Sequence, residues 1–175
     1  MTNKIDLAQL DAQGKKDFEA GRFQEAAEAF KKAAQGYADL GDALNSAEQK
    51  NNLSVALLQL QRPQEALEAA SRTDEVFAAA GDVKRQGMAL NNQAVALEEL
   101  NREEDALAAY ERAAQLLGEA GEGDLRATVL KAAAAIDLKR GKIGESGMKM
   151  IGALGSTQKP TLLQRVLRWV LRLAR

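Results

Sequence analysis

The chain contains no cysteine and no histidine. The first absence excludes disulfides, thiolate ligands and thiol nucleophiles. The second removes the commonest metal ligand and the side chain best placed to move protons near neutral pH. Aromatic residues make up only 4% of the chain, so alanine and leucine must do most of the packing. The only prolines are Pro63 and Pro160. No apolar run approaches the ~20 residues that span a bilayer. The N-terminal stretch carries Asp6, Asp11, Asp17 and Glu19 and has no apolar block of the secretory kind. A cytoplasmic protein, built as one compact domain or one short solenoid, is the simplest expectation. No glycine loop for phosphate follows a strand, and no metal ligands stand at a recognisable spacing. No catalytic, cofactor or metal residues are therefore expected. Aromatics are not interleaved with basic residues, which argues against a nucleic-acid partner.

What the chain does contain is one pattern repeated every 40 residues. Gly41-Asp42 and Gly81-Asp82 recur as Gly121-Glu122. Between those marks, Arg22, Arg62, Arg102 and Lys142 lead into Glu25-Ala26, Glu65-Ala66, Asp105-Ala106 and Glu145-Ser146. A fixed period of this length means stacked units, none of which buries its apolar face alone. Four repeats are read, at 4–41, 42–81, 82–121 and 122–155, forming an array over 1–155.

Each repeat reads as two helices, A and B. In the first B helix, roughly Gln24 to Leu40, small or apolar residues fall at Ala26, Ala27, Phe30, Ala33, Ala34, Tyr37 and Leu40. These steps of three and four keep one face inward. Gly41 can end that helix in the left-handed conformation, and Asp42 can cap the next. The second A helix then runs roughly from Leu44 to Leu60. After a short turn at Gln61 and Arg62, Pro63 suits the first turn of a B helix. Glu25, Glu65, Glu104, Asp105 and Glu145 suit the positive ends of B helices.

Register comparison sharpens the pattern. Gly14, Ser54, Ala94 and Ala134 are all small, as close helix crossings require. Phe30, Ala70, Tyr110 and Met150 share one register, and Tyr37, Phe77 and Leu117 another. Leu57 and Leu97 in the central repeats correspond to Asp17 and Asp137 in the end repeats. Water-facing caps explain those acids. A functional carboxylate at Asp137 is the weaker competing reading.

The chain resembles the tetratricopeptide repeat (TPR) family. The stretch from Gly14 through Phe18, Ala20, Gly21 and Glu25 to Ala26 looks like a TPR helix A, turn and start of helix B, with Phe30 and Ala33 at the family's packing positions. Ala89 to Ala94, then Asp105-Ala106-Leu107 to Tyr110, look like the longer variant found in kinesin light chains and many bacterial proteins. The resemblance covers about Leu7 to Leu154. It departs from the family in its period, which exceeds the usual ~34 residues, and in a degenerate fourth repeat. It implies an all-α, right-handed α-solenoid of four hairpins, working as a non-enzymatic adaptor for a protein or peptide partner.

In that family, successive A helices line a concave groove. By register the groove here would hold Asp11, Lys15, Glu48, Asn51, Asn52, Val55, Leu58, Met88, Asn91, Asn92, Val95 and Glu98. The pairs Asn51-Asn52 and Asn91-Asn92 stand out, because an amide side chain both donates to and accepts from an extended backbone. Bonds to neighbouring helices are the alternative use for them. The chaperone-binding TPR subtype grips a free C-terminus with basic groove residues. Those registers read Asp11, Lys15, Asn52, Met88 and Asn92 here, and most of the positive charge is missing.

Residues 160–175 differ in kind. After a linker at 156–159, Pro160 opens a segment whose four arginines and Gln164 fall in one helical arc of about 100°, leaving a broad apolar arc of about 200°. Lys159 to Arg175 includes no acid, whereas the rest of the chain has more acids than bases. An Arg-rich amphipathic helix is expected, making contact through Leu163, Val166, Leu167, Trp169, Val170 and Leu173. It is expected to fold back as the cap of the array and still leave apolar surface. A homodimer contact and an anionic membrane surface are the competing uses.

Overall fold

The computed structural model describes residues 4–157, and every regular element within them is an α-helix. Four hairpins follow one another. The first is α1 (Lys4–Glu19) with α2 (Phe23–Asp39). The second is α3 (Ala43–Gln59) with a B helix in two pieces, α4 (Pro63–Ala70) and α5 (Thr73–Ala79). The third is α6 (Val83–Glu99) with α7 (Glu103–Glu119), and the fourth is α8 (Gly123–Lys139) with α9 (Ile143–Ser156). This is the expected α-solenoid, with the two helix ranges expected above displaced by one residue. The segment 160–175 lies outside the described residues, and with it the expected contacts of Leu163, Val166, Leu167, Trp169, Val170 and Leu173.

The core is built mainly from alanine, as the shortage of aromatics requires. Ala26, Ala33, Ala56, Ala66, Ala70, Ala89, Ala94, Ala96, Ala106, Ala113 and Ala133 have no exposed surface. Small side chains let helix backbones approach, and the few large residues fill the gaps between repeats. Phe30, Tyr110 and Phe77 are 2%, 1% and 0% exposed. The small register at Gly14, Ser54, Ala94 and Ala134 is buried throughout. A Cβ at Gly14 would stand 2.7 Å from the Phe30 ring, so that crossing has no room for a side chain. Two residues leave the expected pattern. Leu40, at the end of α2, is 45% exposed, and Met150 is 48% exposed.

The turns repeat one device. At the end of α2, Gly41 N–H bonds to the Ala38 carbonyl and Asp42 N–H to the Tyr37 carbonyl. Gly41 itself is left-handed, with φ +71°. This closes the free carbonyls of a helix end. Gly21, Gly81, Gly121 and Gly141 take the same conformation, but Gln61 and Asn101 hold it without glycine, at φ 57° and 58°. Asp42 and Asp82 then cap α3 and α6, accepting from Asn45 N–H at 3.2 Å and Arg85 N–H at 2.8 Å.

The break between α4 and α5 was not foreseen from the periodicity. Arg72 sits at φ 60° and ψ 9°. The interruption frees the Ala70 carbonyl, which the Thr73 hydroxyl at 2.8 Å and Gln93 Nε2 at 3.0 Å then satisfy. Gln93 also donates to Asp74 at 2.8 Å, and the Thr73 hydroxyl lies 3.0 Å from Asn51 Oδ1. Side chains from both flanking A helices thus hold the break. A surface recess of about 440 Å³ opens beside it, lined by Ser46, Lys50, Arg72 and Val76 among others.

The water-facing reading of Asp17 and Asp137 is corrected. They are 5% and 0% exposed. Asp17 accepts from Arg22 at 2.5 Å and from Gln13 at 2.9 Å. Asp137 pairs with Lys149 of α9. Each end repeat pairs its acid with a cation of the same hairpin, a half-exposed Arg22 for Asp17 and a largely buried Lys149 for Asp137.

Candidate partner-binding face

The A helices α1, α3, α6 and α8 share an outward stripe, and a chain of charges ties the first three together. Lys15 Nζ is 2.8 Å from Asp11 and 4.0 Å from Glu48. Glu48 accepts from Arg85 of α6 at 3.0 Å, and Arg85 also holds Asp82 at 2.6 Å. The Arg85 guanidinium stacks on Phe77, 5.1 Å from the ring centre. The Asp11 carboxylate, and after it Glu48, hold the Lys15 ammonium above its usual pKa. Lys15 therefore stays charged but is already neutralised locally.

Next to this chain lies a small pocket of about 170 Å³, lined by Lys15, Phe18, Glu19, Phe30, Asn52 and Val55. It joins three of the expected groove residues, Lys15, Asn52 and Val55, to aromatic side chains from both helices of the first hairpin. The Asn52 Nδ2 donor is buried here with no hydrogen-bond partner. A buried donor left unpaired costs about 1–3 kcal/mol, so it marks a place where an incoming acceptor would gain.

The other expected positions divide. Asn51 is 8% exposed and faces Thr73, so it serves the helix break rather than an open face. Its register mate Asn91 is half-buried, as is Asn92. The difference has a local cause. Thr73 occupies the position that Ala113 takes one repeat later, and alanine offers no hydroxyl. Leu58 packs between the second and third repeats, and Val95 between the third and fourth. Met88 remains 40% exposed near the middle of the stripe. Glu98 accepts from the Tyr110 hydroxyl at 2.7 Å. Burial first, and the Glu98 carboxylate second, push that phenol well above its ordinary pKa, so it remains a neutral donor.

Register transfer stopped one helix too soon. Leu125 and Leu138 on α8 are 37% and 59% exposed and continue the stripe into the fourth repeat. Leu138 shares its register with Phe18, Leu58 and Glu98, a signal present in the 40-residue period. Phe18 was also missed, although it shares the register of Leu58 and Glu98; Phe30 and Arg85 were missed because they reach this face from registers outside the expected groove. Among the described residues, no cluster of three or more Asp or Glu could hold a metal ion. None of the described helices is long and apolar enough to cross a membrane.

Comparison with known proteins places this geometry. No curated protein matches the chain in sequence. Several solved structures share its fold. BtubC (BKLC) from P. vanneervenii superposes with a TM-score of 0.79 at 18% identity, over 90% of this chain and 68% of that one. A putative kinesin light chain with nearly identical TPR-like repeats from Podosopora anserina gives 0.74 at 15% identity, over 89% and 76%. A MamA RS-1 double mutant gives 0.68 at 16% identity, over 88% and 76%. At these identities the likeness is one of fold, and it is TPR-like. A family model, "Soluble NSF attachment protein, SNAP", matches residues 15–146, most of the helical array. The TPR resemblance is thus refined: the chain has a TPR-like solenoid fold and belongs to the soluble NSF attachment protein (SNAP) family.

Proposed function

We propose that this chain is a non-enzymatic adaptor that holds an extended peptide or a partner helix along its A-helix face. The observation that carries this reading is the pocket at Phe18, Phe30 and Val55 with the unpaired Asn52 donor at its wall. Apolar walls would take one side chain of the partner, and Asn52 would donate to a backbone carbonyl beside it. Met88, Leu125 and Leu138 extend apolar contact along the stripe. The charge chain from Asp11 to Arg85 is internally paired, so the partner need not carry one sign of charge. Membership in a family named for an attachment protein fits a role in joining one protein to another.

A displayed library of random peptides tests the proposal. Binders selected on the intact chain are synthesised, and their affinities are measured by fluorescence anisotropy. Asn52→Ala should weaken them about 5-fold, the equivalent of one net hydrogen bond near 1 kcal/mol, and Val55→Arg should abolish binding. Both variants should keep the parent melting temperature. Binders insensitive to both changes would place the interaction elsewhere.

A further inference from the structure

We propose that residues 160–175 of this same chain cover the outer face of α9. That face carries four large, exposed apolar side chains. Ile143 and Met148 are 72% and 73% exposed, and Met150 and Ile151 are 48% and 46% exposed. Met148 stands at the register of Glu28, Glu68 and Ala108, and Ile151 at that of Lys31, Ser71 and Glu111. At each of these registers two of the three preceding repeats show an exposed charge, where the last repeat shows Met or Ile. Large apolar side chains exposed along one helix favour a surface that is covered. The face also has room. A Cβ at Gly144 or Gly147 would meet nothing within 4 Å. Gly147 replaces Leu67 and Leu107, which pack into the core in the two preceding repeats.

Length, pattern and charge favour the chain's own last segment as the occupant. It begins a few residues after α9 ends at Ser156. As a helix, 160–175 would be about 24 Å long, close to the ~21 Å of α9, so an antiparallel return spans the whole face. Its broad apolar arc matches a patch running from Ile143 to Ile151. Its basic residues, with no acid among them, oppose the net negative charge of the rest of the chain. A second copy of the chain would have to bring the same complementarity at the entropic cost of association. The tethered segment avoids that cost.

The chain's single tryptophan, Trp169, lies in this segment and makes the test direct. In the 175-residue chain at low concentration, its emission should be shifted to shorter wavelength and protected from acrylamide quenching. Neither property should change on further dilution. Met148→Glu combined with Ile151→Glu should move the emission to longer wavelength and expose the indole, with helix content retained. Solvent-like emission in the parent chain would overturn the proposal. So would a short-wavelength emission lost on dilution together with dimer scattering, which assigns the face to a second copy. Protection that appears only with phosphatidylserine vesicles would assign the segment to a membrane and also overturn it. A cysteine pair provides a check that does not depend on the charged variant folding, because the parent has no cysteine. Met148→Cys with Leu167→Cys should oxidise to an intramolecular disulfide in the monomer. Absence of that link, or a linked dimer instead, would count against the proposal.

Discussion

Lys149 of α9 reaches back to pair with Asp137 of α8, a carboxylate with no exposed surface. The same ammonium lies 2.9 Å from Glu111 of α7. In the second and third repeats the corresponding registers hold Leu57 with Ala69 and Leu97 with Ala109. The last repeat therefore replaces an apolar contact by a charge pair. Lys149→Met should cost about 3 kcal/mol or more, because it leaves a buried carboxylate without its cation. Asp137→Leu combined with Lys149→Ala restores the inner-repeat pattern and should bring stability back to the parent value or above it. Urea denaturation measures both. A loss below about 1 kcal/mol for Lys149→Met would show that the pair contributes little.

Thr73 and Asn51 should prove coupled in stability. Asn51→Ala and Thr73→Ala each remove one side of the contact at the break between α4 and α5, and each should cost about 1 kcal/mol. The double variant should cost less than the sum, since the second change removes a group already unpaired. Peptide binding should be unaffected by either. Strict additivity with weakened binding would return Asn51 to the partner face.

Gln61 should be replaceable to advantage. It holds φ 57° where three of the four A-to-B or B-to-A turns around it use glycine. A side chain in the left-handed region costs about 1–2 kcal/mol, so Gln61→Gly should stabilise the protein by about 1 kcal/mol after glycine's greater freedom in the unfolded chain is counted. Asn101→Gly should gain less, because asparagine tolerates that region. Thermal melts of the two variants side by side check the order.

Stability should fall at acid pH through identifiable carboxylates. Backbone N–H of Arg85, and then its guanidinium, hold the Asp82 carboxyl below the usual range. Gln13 and Arg22 do the same for Asp17. Because their folded pKa values are depressed, both contribute stability that is fully present above about pH 4 and lost as pH falls through the folded values. Asp82→Asn should lower the melting temperature near neutrality and make the acid limb shallower. At the alkaline end burial disfavours the Lys149 charge, but hydrogen bonds to Asp137 and Glu111 outweigh it and leave its pKa raised. Its contribution is present below about pH 10 and lost as pH rises through the raised value. Lys149→Met should remove that alkaline dependence.

The solenoid was legible because its signals are local. Left-handed glycines, capping aspartates and apolar steps of three and four lie within a few residues of the helix ends and faces that they control. The 40-residue period carried those signals from one hairpin to the next. The candidate site was legible only in part. Lys15, Asn52 and Val55, expected on the A-helix groove by family register, all line one pocket. Phe30 and Arg85 were not expected there, since they arrive from other registers through helix packing, and Phe18 was missed although it shares the register of Leu58 and Glu98. The α4–α5 break had a sequence signal in Thr73, Asp74 and Glu75, a polar start followed by acids. The alanine-rich periodicity around it concealed that signal.

Sequence alone determined that this chain is a stack of helical hairpins, at which glycine and aspartate marks they turn, and which small residues lie at the crossings. Those features follow from backbone conformation and from periodicity along one helix. Only the tertiary structure decided what each polar residue on those helices does. Asn51 and Asn91 are the same residue at the same register, yet one is bound to the break and the other is half-open. Asp137, at a leucine register, is buried against Lys149 rather than exposed to water. The physical reason is that a polar side chain's role depends on the partner brought to it by a neighbouring helix, and that partner is chosen by packing across repeats.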